Sequence, residues 1–231
     1  MARSGPERSQ DVDAFLEQVA AAPKPGAAGG EEGRLTFIMD ATMSRQPTWD
    51  AACAIQADMF YAAAEVSSLA VQLVFFRGQS DCRFSPWIKN PQVLARKMSG
   101  VRCRGGLTQI ERALAHAARG AAAEETNAVV YVGDAMEENA DAICARAAEL
   151  GLAGAPVFVF QEGSDPIARD VFQEVARLSG GAYHRFDLAS ADTLRRLLRA
   201  VAVYAAGGRQ ALLDYGRREG GDALRIARQL K

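Results

Sequence analysis

Apolar positions along this chain recur at two periods, and the changes from one to the other mark its elements. Leu35, Phe37, Ile38 and Met39 form a run that predicts a strand buried on both faces, and it ends abruptly in Asp40, Thr42 and Ser44. Apolar stretches at 67–76, 128–132, 156–160 and 182–186 predict further strands. The turn Gly78-Gln79-Ser80-Asp81 sends 82–88 back as an antiparallel partner of the strand before it.

Helical spacing fills the intervals. It is carried by Val12, Phe15, Leu16 and Val19 over 11–22, and by Trp49, Ala52, Ile55, Met59 and Phe60 over 47–64, with Pro47 at the opening. Shorter periodic stretches lie at 90–98, 139–150, 167–178 and 191–204. Thr108 opens another helix, with Glu111 in capping-box register and Ile110, Leu114 and Ala117 on its apolar face. Strands alternating with helices predict a doubly wound α/β fold. Its sheet is mostly parallel with one antiparallel edge strand, and helices cover both faces, a Rossmann-like arrangement.

Breaks in the pattern divide the chain. Pro23-Lys24-Pro25-Gly26 and the glycines after it end the first helix, and Gly207-Gly208 precedes an Arg-rich stretch. Residues 1–33 are therefore expected to be a short helix and flexible linker, the helix packing back on the body. Residues 34–206 form the α/β domain, and 207–231 a helical tail whose basic residues make a solvated face.

Composition narrows the function classes. An apolar fraction of 49% is ample for one core, and a net charge of −1 gives no general attraction to nucleic acid or to an anionic membrane. Cys53, Cys82, Cys103 and Cys144 show no Cys-x-x-Cys pairing and read as buried free thiols. Residues 1–22 carry charges and no apolar signal core, and no run reaches the ~20 residues needed to span a bilayer. A cytoplasmic protein is expected.

The chemistry gathers at one sheet edge. Ligands in open α/β sheets bind beyond the carboxyl ends of the strands. There the topology brings together Asp40, Thr42 and Ser44, then Thr108 after the Gly105-Gly106 loop, then Asp134 after Gly133. Two carboxylates and three hydroxyls are hard oxygen donors of the kind that suit Mg²⁺ or Mn²⁺. Without an ion, the same residues would serve as caps and turns. Glu137 and Glu138 are expected at a solvated helix start, and His116 and His184 in structural positions.

These motifs resemble the von Willebrand factor type A (VWA) domain, whose metal-ion-dependent adhesion site (MIDAS) is an Asp-x-Ser-x-Ser run with a distant Thr and a distant Asp. The resemblance spans roughly 34–204. It includes the glycine loop and helix Gly105-Gly106-Leu107-Thr108-Gln109-Ile110-Glu111-Arg112-Ala113-Leu114 and the late Leu178-Ser179-Gly180-Gly181-Ala182-Tyr183 turn. Thr42 stands where the family usually has Ser, Leu107 where it often has Gly, and Ala135 in place of a common Gly. None of these removes an oxygen ligand.

The resemblance implies a bacterial-type intracellular member that binds Mg²⁺ or Mn²⁺ through Asp40, Thr42, Ser44, Thr108 and Asp134. Thr42 and Ser44 would ligate directly, Asp40 and Asp134 directly or through water, and Thr108 would join or leave. A protein partner's Asp or Glu would complete the coordination. Met43, Arg45, Arg102, Arg104 and Met136 are the expected contact rim, and the implied activity is binding, with the protein an adaptor in an intracellular complex.

Two alternatives stand beside it: a phosphotransferase-type enzyme with Asp40 as nucleophile, and a metal-free scaffold. Thr42 occupies the second position of the Asp-x-Asp pattern such enzymes use. The chain has no Gly-Lys dipeptide for a P-loop, no Gly-x-Gly-x-x-Gly after the first strand and no Gly-x-Ser-x-Gly elbow.

Overall fold

A computed structural model describes residues 6–22, 33–46, 69–123, 125–186 and 191–219. The linker expected at 23–30, the helix at 47–64 with Cys53, and the tail beyond 219 lie outside the described residues. In chain order the elements are α1 (Pro6–Ala21), β1 (Gly33–Asp40), a 3-10 turn (Met43–Arg45), β2 (Leu69–Arg77), β3 (Asp81–Ile88) and α2 (Pro91–Ser99). There follow α3 (Ile110–Ala122), β4 (Ala128–Gly133), α4 (Ala140–Leu152), β5 (Val157–Glu162), α5 (Pro166–Ser179), β6 (Ala182–Phe186) and α6 (Ala191–Glu219).

The six strands form one sheet in the order β3-β2-β1-β4-β5-β6. All pairings are parallel except β2 with β3, so the edge strand is the antiparallel one expected from the turn at Gly78. β1 and β4 sit side by side at the centre with Met39 level with Val132. That register puts the ends of β1 and β4 together, with Asp40 leaving one strand and Asp134 just past the other.

Strand alternation divides the core in two. Leu35, Phe37 and Met39 of β1 pack with α1, α2 and α6 on one face, while Ile38, Val129 and Tyr131 pack with α3, α4 and α5 on the other. Asp40 shares Ile38's side of the strand. On the first face α1 is part of the core: Phe15 is 1% exposed and its ring lies 5.2 Å from Phe160 and 6.5 Å from Phe158. Burying one such side chain stabilises the fold by ~1.5–3 kcal/mol, which holds α1 on the body.

The last helix is longer than its periodic stretch. It spans two helical stretches that meet at Gly208, whose φ of 66° and ψ of −163° are non-helical, so the break expected at the glycine pair is present. Leu212 beyond the bend is buried in the first core and Tyr215 packs against it. The packing therefore runs on past residue 207, where the glycine pair marked a change of segment. Among the described residues no helix is long and apolar enough to cross a membrane.

Candidate metal site

The site grows from the end of β1, where the backbone leaves the sheet and turns at once. Ala41 donates its N–H to the Phe76 carbonyl of β2 at 3.0 Å, and Arg104 donates its N–H to the Ala41 carbonyl at 3.1 Å. Thr42 and Arg104 form a parallel bridge. The loop carrying Thr42 and Ser44 is thereby tied to the glycine loop that leads to Thr108.

Gly106 ties the glycine loop to the turn after β2 by close approach: a Cβ there would lie 2.1 Å from the backbone carbon and oxygen of Gly78. Adjacent glycines commonly mark backbone conformations closed to other residues. Neither Gly105 nor Gly106 is among the glycines at positive φ, and lack of a side chain is what the contact needs.

Asp40 is fully buried. Its Oδ1 accepts the Thr42 N–H at 2.8 Å, while its Oδ2 is buried with no hydrogen-bond partner among the described residues. Asp134 Oδ1 is in the same state. The hydroxyls of Thr42 and Ser44 lie 3.0 Å apart. Thr108 is buried, and its Oγ1 accepts the Glu137 N–H at 3.2 Å. Burial pushes the Asp40 carboxyl up to about 7, against hydrogen bonding from Thr42 and the Arg45 charge, and the Asp134 charge pushes the same way as burial.

Buried carboxylate oxygens without partners are costly. Here they stand at one edge with three hydroxyls, and a cation would relieve both. Among the described residues no three His, Cys, Asp or Glu side chains form a metal-binding group. The available donor set is instead two carboxylates with hydroxyls, chemistry that fits a small hard ion. Ser44 is exposed and gives the cluster its opening.

The residues expected on the rim differ in exposure. Met43 is 52% exposed, Arg102 and Arg104 are exposed and Met136 is half-buried. Arg45, expected on the rim, is 1% exposed. It turns inward because it has partners there: Nε donates to Glu162 Oε2 at 3.0 Å and NH1 donates to the Asp40 carbonyl at 2.9 Å. Leu107 is 54% exposed beside Thr108 and joins Met43 as apolar surface at the opening.

The loop after β4 also departs from expectation. Glu138 accepts the N–H groups of Ile110 and Glu111 at 2.5 and 3.0 Å, and Glu137 Oε2 accepts the Thr108 N–H at 3.0 Å. These carboxylates cap α3 from across the site instead of starting a solvated helix. The Thr108–Glu111 capping box does not form: α3 begins at Ile110, and Glu111 pairs with Arg146 at 2.9 Å. The signal available in the sequence was the acidic pair itself, two carboxylates just past a strand end.

Solved structures share this architecture. A von Willebrand factor type A protein from Catenulispora acidiphila superposes with a TM-score of 0.59 at 15% identity, over 74% of this chain and 43% of that one. The SpRpn10 VWA domain superposes with a TM-score of 0.56 at 9% identity, over 72% of this chain and 93% of that one. The chain has the VWA fold. The manganese-loaded TRAP protein of Plasmodium vivax (13% identity, 73% of this chain and 74% of that one, TM-score 0.56) has the same fold. So has proximal thread matrix protein 1 of the mussel byssus with a zinc-occupied MIDAS motif (15% identity, 74% and 48%, TM-score 0.56).

The chain spans less than half the length of the Catenulispora protein. No protein-family model and no curated protein matches its sequence.

Proposed function

We propose that this chain is a divalent-metal-dependent protein-binding module. Asp40, Thr42, Ser44, Thr108 and Asp134 hold one Mg²⁺ or Mn²⁺, and an Asp or Glu side chain of a partner completes the coordination. The observation that carries the reading is the pair of buried carboxylate oxygens, Asp40 Oδ2 and Asp134 Oδ1, that have no hydrogen-bond partner among the described residues at the C-terminal edge of the sheet. Manganese in the TRAP structure and zinc in the mussel protein's MIDAS motif support an ion at this edge of the fold.

The ion, when bound, supplies a Lewis-acidic centre for a carboxylate. Ser44, in the exposed part of the cluster, lies where a partner side chain would enter, and Met43, Leu107, Arg102 and Arg104 surround that entry. The arginines favour an acidic partner, and the exposed Met43 and Leu107 give it apolar contact. Binding rather than turnover fits the full burial of Asp40. The corresponding role is that of an adaptor in an intracellular complex.

Uptake of Mn²⁺, followed by the loss of the free ion's paramagnetic resonance signal, tests the reading. One ion per chain is expected, with affinity reduced by tenfold or more in Ser44→Ala and in Asp134→Asn. Equal uptake by all three proteins would overturn it.

A further inference from the structure

We propose that Tyr131 is a positioning residue of the metal site, its phenol O–H donating to the Asp40 and Asp134 carboxylates when an ion is held there. The inference rests on the ion site proposed above and adds to it a residue outside the oxygen ligand set.

Tyr131 lies on β4, 1% exposed, with its ring edge-on to Phe172 at 5.1 Å and 77°. Its hydroxyl is shielded from solvent and has no hydrogen-bond partner among the described residues. Among the described residues Asp40 Oδ2 and Asp134 Oδ1 are likewise unpartnered, and Ile38 is level with Tyr131 in the sheet, so that Asp40 follows on the same face.

The hydroxyl also occupies space that the backbone leaves for it. A Cβ at Gly133 would lie 2.2 Å from the Tyr131 oxygen and 2.7 Å from Cζ. A glycine next to Asp134 thus leaves room for the phenol at the end of β4, the strand end that Asp134 follows. Phenylalanine would give Phe172 the same ring without burying a polar atom, and an unsatisfied hydroxyl costs about 1–3 kcal/mol. Ionised carboxylates only accept hydrogen bonds, and a protonated phenol can donate one. Two acceptors and one donor, none with a hydrogen-bond partner among the described residues, form a complementary set. Such outer partners orient ligating carboxylates and typically change metal affinity by 10–100-fold.

The test compares the parent with Tyr131→Phe in calorimetric titrations with Mg²⁺ and Mn²⁺, and in thermal unfolding with chelator. Affinity should fall tenfold or more in the variant, while its metal-free midpoint is unchanged or higher because an unsatisfied hydroxyl has been removed. Equal affinities in the two proteins would overturn the role of Tyr131 and leave the ion site standing. A variant that loses metal-free stability along with affinity would also overturn it, showing the ring to be merely structural. No ion uptake by the parent would defeat the site reading and this inference together. Should Tyr131→Phe not fold, the parent's ultraviolet tyrosine difference spectrum on adding Mg²⁺ decides: a perturbation supports the proposal and a flat spectrum overturns it.

Discussion

The guanidinium of Arg45 and the carboxylate of Glu162 form a buried ion pair, NH2 to Oε2 at 2.9 Å, that joins the loop after β1 to the end of β5. Arg45 also donates to the Asp40 carbonyl. It therefore fixes the backbone at the point where the chain leaves the sheet, directly behind the carboxylate of the candidate site. Charges this deep are tolerated because each has the other and because Arg45 has a further acceptor.

Removing one partner should be severe. Arg45→Met leaves Glu162 buried without its counter-charge, and loss of a partner from a buried pair costs about 3–5 kcal/mol. Chemical denaturation should show that loss in Arg45→Met, and a smaller one in Arg45→Met/Glu162→Leu, where neither charge remains. A double variant as unstable as the sum of the singles would show that the pair is not coupled.

The metal-free protein should respond to pH through Asp40. Its folded carboxyl titrates at about 7, against 3.8 for the free group. Between those values the folded chain keeps a proton that the unfolded chain has lost. Stability contributed by this group is present below 3.8 and falls as pH rises, by ~1.4 kcal/mol per pH unit, levelling off above about 7. Denaturation in chelator across this range, parent against Asp40→Asn, should show that slope in the parent alone. Ion affinity should run the other way and rise with pH toward 7, because the carboxylate must be deprotonated to ligate.

Gly106→Ala should damage both fold and site. The added methyl would meet backbone atoms of Gly78 at 2.1 Å, and backbone cannot yield as a side-chain tip can. The glycine loop must then separate from the turn after β2, moving Thr108 two residues later. A loss of about 1–3 kcal/mol is expected, as for overpacking elsewhere, together with weaker Mn²⁺ uptake. A stable variant with parental uptake would show that the contact can be given up freely.

These cases mark where sequence was informative. The apolar run before Asp40 and the strand before Asp134 were legible because β periodicity and the strand-end rule are local, and the alternation of elements gave the antiparallel β3 edge. Arg45 was misplaced because a charged loop residue reads as exposed, and the carboxylate that draws it inward is 117 residues away. The capping box at Thr108 and Glu111 failed for a similar reason. Glu138, 28 residues beyond Ile110, reaches the helix N–H groups first. In α6, the Gly207-Gly208 pair is legible as a break and Gly208 is non-helical, whereas the burial of Leu212 beyond it depends on distant core residues. Local rules identified donors and elements, and long-range partners decided which side chains face the site.

The most direct test of the central claim is thermal unfolding of the parent in chelator and in increasing Mg²⁺ or Mn²⁺, beside Asp40→Ala/Ser44→Ala. An ion that binds only the folded chain should stabilise the parent by about 2.7 kcal/mol at a hundredfold excess over its dissociation constant. The account predicts that rise in the parent and none in the variant. A parent whose unfolding is indifferent to either ion, or a variant that gains as much as the parent, would contradict it.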